Sequence, residues 1–218
     1  MDEDFRLRIE SVTRRLHFKI DQLENEVALS IAQLSIEQNI YNESRINIGV
    51  IGESGCGKST LINAIRGLYA NDKYAARVDV KECTKHPTPY PFPNNSNIVL
   101  WDLPGVNTPD YPLNTYLEKI DSDRYDCFIL CSANRFHSTD LVLASKINRR
   151  RRQFCFVHLK FDQDIEGRQS KLNRELDNDE IESLMKEIKV DIQNKMIGFI
   201  LRQPIFVVSA QMVRYKIN

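Results

Sequence analysis

Gly52-Glu53-Ser54-Gly55-Cys56-Gly57-Lys58-Ser59 follows the apolar run Ile46-Asn47-Ile48-Gly49-Val50-Ile51 and leads into Thr60-Leu61-Ile62-Asn63-Ala64-Ile65. The pattern G-x-x-x-x-G-K-S between a strand-like and a helix-like run is a phosphate-binding loop. Its glycines let successive backbone N–H groups turn inward around phosphate oxygens, where a Cβ would crowd them. Lys58 is expected to set its ammonium between the β- and γ-phosphates, and the Ser59 hydroxyl to ligate Mg²⁺. Gly52 through Thr60 is therefore the expected nucleotide-binding run, and the chain is expected to bind a nucleoside triphosphate.

Downstream, Ile98-Val99-Leu100-Trp101 reads as a short strand ending at Asp102-Leu103-Pro104-Gly105. A carboxylate at that strand end holds the water shell of Mg²⁺. A glycine three residues on swings its N–H onto the γ-phosphate without steric penalty. The third phosphate also needs a sensor between the first helix and Trp101. Thr84 is the first candidate, as a metal ligand and γ-phosphate contact, with Thr88 and Thr60 as alternatives. The expected metal set is Ser59, Thr84 and Asp102.

The base is read from a third place. Phe154-Cys155-Phe156-Val157-His158-Leu159 has a buried-strand pattern and runs into Lys160-Phe161-Asp162. A carboxylate at Asp162 accepts guanine N1–H and the exocyclic amine, whereas adenine offers the reverse pattern and is rejected. The Lys160 stem lies across the base. Leu159 stands where an Asn or Thr is usual in such a segment, so only part of the motif is intact. Val207-Val208-Ser209-Ala210 ends a further strand, and the Ser209-Ala210 backbone is expected at guanine O6.

The 218 residues are 42% hydrophobic and 28% charged, enough for one sizeable α/β domain with a short appendage. Thirty basic residues balance thirty acidic ones, so no nucleic-acid footprint is indicated. Cys56, Cys83, Cys127, Cys131 and Cys155 lack metal-ligand spacing, and a zinc site is not expected. Scattered thiols point to a reducing, cytoplasmic setting. No run approaches 18 apolar residues, no basic stretch precedes an apolar one, and Met1-Asp2 excludes a myristoylated glycine. Any membrane contact is expected to be peripheral, through partners or segments beyond this chain.

Residues 3–41 carry Phe5, Ile9, Val12, Leu16, Ile20, Leu23, Val27, Ile31 and Leu34 mostly at three- and four-residue steps, without proline or glycine. The expected division is an N-terminal helical segment over 1–43, part of a helical domain, and a nucleotide domain over 44–218. In the latter, strands are expected at 46–51, 97–101, 125–131, 153–159 and 204–208. An edge strand is expected around 76–83. Helices are expected at 58–68, 112–122, 138–150 and 178–202. Such alternation predicts a mostly parallel sheet covered by helices on both faces. Only ten residues follow Val208, so the last covering helix is expected to be cut short. Residues 163–179 read as a polar, mobile excursion. Pro87, Pro89, Pro91 and Pro93 read as a stiff extended strap, and Arg149-Arg150-Arg151-Arg152 as a solvated helix cap.

With these residues placed, the chain resembles the immunity-related GTPases, an interferon-inducible family. The similarity lies in Gly52 to Ser59 followed by Ile62-Asn63-Ala64-Ile65-Arg66-Gly67, then Thr84, His86-Pro87 and Tyr90. It continues in Trp101-Asp102-Leu103-Pro104-Gly105, Asn114-Thr115-Tyr116-Leu117 and Phe156-Val157-His158-Leu159-Lys160-Phe161-Asp162. It spans about residues 45–210. The resemblance implies a P-loop GTPase fold, Mg²⁺, GTP hydrolysis controlling self-association as a homodimer or oligomer, and action on pathogen-containing vacuoles. Lys58 places the chain in the lysine class of the family. The family mechanism invokes an acidic residue near the switch threonine; Glu82 precedes Thr84 here, with Lys85 and His86 after it.

The resulting expectation is Mg²⁺-dependent GTP hydrolysis in which Lys58, Thr84, Gly105 and Glu82 take part. Val106-Asn107 follow Gly105 where a water-orienting glutamine would serve, so turnover should be slow in an isolated subunit. The runner-up is a guanine-nucleotide-binding scaffold that does not turn over. A P-loop ATPase or small-molecule kinase stands third.

Overall fold

The computed structural model describes residues 45–78, 84–93, 95–133, 136–196 and 203–209. The N-terminal helical segment, Glu82, Cys83, Ala210 and the last covering helix lie outside the described residues.

Among the described residues six strands form one sheet in the order β2-β3-β1-β4-β5-β6. They are β1 (Ile46–Gly52), β2 (Thr88–Phe92), β3 (Asn95–Asp102), β4 (Cys127–Ala133), β5 (Gln153–Leu159) and β6 (Ile205–Val207). Every pairing is parallel except β2 with β3. The central strands are buried on both faces, which is why β1 and β4 read as nearly unbroken apolar runs rather than alternating ones.

Side chains alternate across the pleat and divide the core in two. Ile48, Val50, Leu100, Ile129, Val157 and Leu159 face α1 (Lys58–Ile65), which contributes Leu61 and Ile62. Ile51, Phe128, Leu130, Phe154 and Phe156 face the opposite way. There they meet α2 (Tyr116–Lys119), α3 (Ser138–Arg149) and α5 (Asn178–Met196) through Tyr116, Leu117, Leu143, Ile147 and Ile192. The remaining helix, α4 (Phe161–Leu172), packs Phe161 and Ile165 with Ile181 and Leu184 of α5 and with Val207 of β6.

Several expectations need correction. Of the edge strand expected around 76–83, residues 76–78 are not in a strand and residues 79–83 lie outside the described set; among the described residues the sheet edge is the proline strap itself, as β2. Antiparallel Thr88–Phe92 tolerates Pro89 and Pro91 because an edge strand leaves alternate N–H groups unneeded by the ladder. The polar stretch 163–179 is largely α4, capped at each end by residues with positive φ, Lys160 at 62° and Asn173 at 52°. Its apolar face is only Phe161 and Ile165, too narrow to reveal a helix from pattern, and it is held instead by packing on α5 and the Arg168–Glu187 ion pair at 2.7 Å. Helix α1 stops at Ile65, where Gly67 takes a φ of 65° and the Leu68 N–H returns to Asn63 O at 2.8 Å. The segment expected as helix 112–122 is one helical turn, Tyr116–Lys119, followed by a 3₁₀ turn, Ser122–Arg124. In the arginine run, Arg150 binds Glu118 at 2.7 Å as well as the Ser122 hydroxyl, and Arg152 donates to Asp123 O at 3.1 Å. Two of its four side chains thus fasten α3 to the 116–124 turn rather than standing free in solvent.

Candidate nucleotide-binding site

The site lies at the carboxyl ends of β1 and β3, where the crossing from β1 into α1 must turn sharply. Gly52 makes that turn with a φ of 149°, and an added Cβ would stand 2.1 Å from Cys131 O on the neighbouring β4. The loop closes into α1 with Leu61 N–H bonded to Gly57 O at 2.9 Å. The first amides of that helix, at Lys58 and Ser59, have no intrahelical acceptor, and the helix dipole favours an anion in front of them. Ser54 and Gly55 form the exposed rim of the loop, while Thr60 is half-buried in the first turn.

Lys58 is buried, and its ammonium donates to Gly52 O at 3.2 Å and Glu53 O at 2.9 Å. Cys56 is buried too, and burial pushes its thiol pKa up against the lowering influence of Lys58. It is therefore a neutral packing group, and any nucleotide contact at this position comes from its backbone.

Three side chains meet beside Lys58. The Ser59 hydroxyl donates to Asp102 Oδ2 at 2.6 Å, and the Thr84 hydroxyl donates to the same oxygen at 2.9 Å. They are separated by 43 and 18 residues in the chain, so only the sheet brings them together. Thr88 turns elsewhere, donating to His86 O at 2.9 Å. Asp102 is 2% exposed, and its Oδ1 is buried with no hydrogen-bond partner. Burial raises the Asp102 pKa; the Ser59 hydrogen bond, the Lys58 charge and the Thr84 hydrogen bond work against that rise. An orphaned carboxylate oxygen among two hydroxyls is a hard-oxygen set of the kind Mg²⁺ takes, so the residues fit that ion.

Gly105 presses on the loop from the other side. A Cβ there would come within 2.8 Å of both the Ser54 backbone nitrogen and Ser54 Cβ. The following residue, Val106, pairs with the loop through its N–H to Gly52 O at 3.1 Å and a parallel bridge to Glu53. The Asp-Leu-Pro-Gly segment is thereby clamped against the phosphate loop.

At the far end, Lys160 caps α4 and Asp162 stands in its first turn. The Ser209 hydroxyl donates to Asp162 Oδ1, joining β6 to α4 across 47 residues. The Phe161 N–H bonds Val208 O at 3.3 Å. Leu159, where a polar residue was looked for, is 1% exposed, and its Cδ1 would lie 3.3 Å from a Cβ added to Gly57. It fills the space under the phosphate loop with apolar contact.

Sequence reasoning missed the supports. His158 of β5, 1% exposed, meets Asp164 at 2.7 Å through Nε2 and so ties the first turn of α4, which carries Asp162, to the sheet. Asp140 accepts from the Ser132 hydroxyl at 3.0 Å and the His137 N–H at 2.9 Å, capping α3 beside the loop. The His158–Asp164 and Ser132–Asp140 pairs join residues six and eight apart, for which no simple spacing rule exists. The three-residue step from His137 to Asp140, by contrast, is the capping-box spacing that could have marked Asp140.

A mostly parallel sheet with a G-x-x-x-x-G-K-S loop after β1, a carboxylate at the end of β3 and another just after β5 is a P-loop GTPase fold. The interferon-inducible GTPase family model matches residues 10–216, and the chain belongs to that family. Interferon-inducible GTPase 1 of Mus musculus is 36% identical over 187 residues, 85% of this chain and 45% of the relative. Interferon-inducible GTPase 5 of Bos taurus is 47% identical over 122 residues, 56% of this chain and 26% of the relative. The chain thus spans less than half of either. Among solved structures, an NFeoB point mutant of S. thermophilus bound to GMPPNP shares the fold with a TM-score of 0.50 and 18% identity, covering 78% of this chain and 60% of that one. Among the described residues no helix is long and apolar enough to cross a membrane.

Proposed function

We propose that this chain is a Mg²⁺-dependent guanine-nucleotide switch that binds GTP and hydrolyses it slowly to GDP and phosphate. The observation that carries the reading is the convergence of Ser59 and Thr84 on the buried Asp102 carboxylate, next to Lys58. Ser59 and Thr84 would ligate the ion directly, and Asp102 would hold its water shell. The bound ion would neutralise charge on the phosphate oxygens. Lys58 would leave its two loop carbonyls to reach the β- and γ-phosphates, and the Gly105 amide would donate to the γ-phosphate. Lys160 would cover the base, Asp162 would accept its N1–H and amine, and Ser209-Ala210 would line its carbonyl edge. The nucleotide domain is assigned to 44–218 and the helical segment to 1–43.

Guanine selectivity rests on Asp162. Asp162→Asn should weaken GDP binding more than tenfold, since losing a charge-assisted hydrogen bond with its partner left unpaired costs about 2–5 kcal/mol. Xanthosine diphosphate should suffer less, because the asparagine NH₂ donor suits the extra carbonyl of xanthine. Titration calorimetry with both nucleotides checks this; a change in GDP affinity below about twofold would remove Asp162 from the site.

Slow turnover follows from what stands after Gly105. The Val106 side chain is buried and its N–H is bonded to Gly52 O, so it cannot orient a water. Catalytic groups would come from a second copy of the chain or from Glu82. The proposed switch therefore acts through self-association, at intracellular membranes in cell-autonomous immunity, a finer reading that rests on family membership. Specific activity should rise with protein concentration; a flat response over about a hundredfold range would sink the role of a second subunit. The competing reading, a scaffold without turnover, draws on Leu159 and the missing glutamine. Multiple-turnover phosphate release well above that of a Lys58→Ala control eliminates it.

A further inference from the structure

The segment after Gly105 is fastened more firmly than an Asp-x-Pro-Gly motif requires. From outside, Lys119 Nζ donates to Asp110 O at 2.6 Å, and Lys146 Nζ to Leu113 O at 3.1 Å and Asn114 O at 2.8 Å. From within, the Tyr111 N–H bonds Thr108 O at 3.1 Å, and the Asn107 N–H bonds Tyr111 O at 3.0 Å. This compact turn sets the Tyr111 ring edge-on against Tyr116 with centroids 6.3 Å apart. Tyr116 is itself fully buried and donates its hydroxyl to Pro104 O at 2.7 Å. Positioned in this way, the Tyr111 hydroxyl reaches back 26 residues and donates to Lys85 O at 3.1 Å. Lys85 is the neighbour of Thr84, whose hydroxyl meets Asp102.

The contacts form a closed circuit from Pro104 through Tyr116, Tyr111, Lys85 and Thr84 to Asp102, two residues before Pro104. We propose that Tyr111 is a positioning residue for the triphosphate state. Its hydroxyl holds Lys85, and through it Thr84, over Asp102, so that the Thr84 segment and the Gly105 segment close and release together. The inference rests on the reading of Ser59, Thr84 and Asp102 as the Mg²⁺ site. Thr84 serves only the nucleotide whose γ-phosphate needs it, because such segments are ordered by γ-phosphate and metal and released on hydrolysis. The latch therefore discriminates GTP from GDP, which ordinary ring packing does not.

The test compares the full chain with its Y111F and Y111A variants. Fluorescent GDP and a fluorescent non-hydrolysable GTP analogue are titrated with and without Mg²⁺, and nucleotide-free melting is followed in parallel. Phenylalanine keeps the ring on Tyr116 and removes only the hydroxyl. Y111F should bind the GTP analogue about threefold to tenfold more weakly, the range for one lost hydrogen bond. GDP affinity should stay within about twofold of wild type, and melting should be unmoved. Y111A should show the same split between nucleotides and also melt earlier, since it loses the ring. Equal weakening of both nucleotides in Y111F, or no change in either, overturns the latch. Wild-type protein that binds the GTP analogue no better with Mg²⁺ than without overturns the metal-site reading and the latch with it. Normal wild-type Mg²⁺ dependence beside an unchanged Y111F overturns the latch and leaves the site standing.

Discussion

Asp102→Asn should abolish Mg²⁺-dependent GTP hydrolysis while leaving the nucleotide-free protein as stable as wild type or more so. The carboxylate is buried, its Oδ1 lacks a partner, and burial dominates its raised pKa. A folded-state pKa above the ordinary 3.8 means that the folded chain holds this proton more tightly than the unfolded chain does. Its contribution to stability is complete below the ordinary value and is lost as pH rises through the raised one. At neutral pH the ionised group therefore opposes folding. Asparagine removes that opposition and still accepts from Ser59 and Thr84 through its amide oxygen. The same change takes a negative charge from the proposed ion site, where losses of about a hundredfold or more in turnover are expected of a group acting on developing charge. Phosphate release and melting temperature, each measured from about pH 5 to 8, check the pair of effects. The wild-type excess of stability at the acidic end should shrink in the variant, although Asp140, whose buried carboxyl is also raised, will contribute in the same direction in both proteins. A variant that melts well below wild type and keeps its Mg²⁺ dependence would refute the assignment.

Gly52→Ala should destabilise the protein strongly. An alanine Cβ would lie 2.1 Å from Cys131 O, and the φ of 149° lies in a region that side-chain-bearing residues rarely adopt. Neither atom can yield cheaply, because Cys131 is paired with Gly52 and with Val157 in the centre of the sheet. Backbone strain of about 1–3 kcal/mol and overpacking of about 1–3 kcal/mol act together here. Against a total stability of about 5–15 kcal/mol, a loss of about 2–6 kcal/mol removes a large share of the stability and should lower the unfolding midpoint clearly. Denaturant unfolding provides the measure. A loss under about 1 kcal/mol would mean that β1 and β4 can separate at this point without consequence. Gly55 is the internal control, since a Cβ there meets nothing within 4 Å although its φ is also positive.

The phosphate loop, the Asp102-to-Gly105 segment and the Lys160-to-Asp162 segment are legible as local patterns because each is a short run at a strand end, where the chain must turn. A turn demands particular residues at fixed short spacing. The central strands were readable for a related reason: burial on both faces leaves apolar runs at Ile48–Gly52 and Phe154–Val157. The order of the strands, by contrast, appears nowhere as a spacing. It is the sheet that carries Asp102 to Ser59 and Ser209 to Asp162.

Helix α4 is not legible in the sequence because its stability is not local. With only Phe161 and Ile165 buried on its own account, it depends on α5 and on the Lys160 cap held beside β6. The strap of prolines was read correctly as extended, and its place at the sheet edge followed only from pairing with β3. The sequence by itself pointed to the phosphate loop and to the Asp102 and Asp162 segments, since each is a short run whose residue types are dictated by local geometry. Tertiary structure decided that Thr84, the first of three threonine candidates in the sequence, meets Asp102, how Leu159 is absorbed beneath the loop, and that Tyr111 is tied to Lys85. Those contacts span tens of residues, and packing, rather than the chain's local preferences, sets such distances.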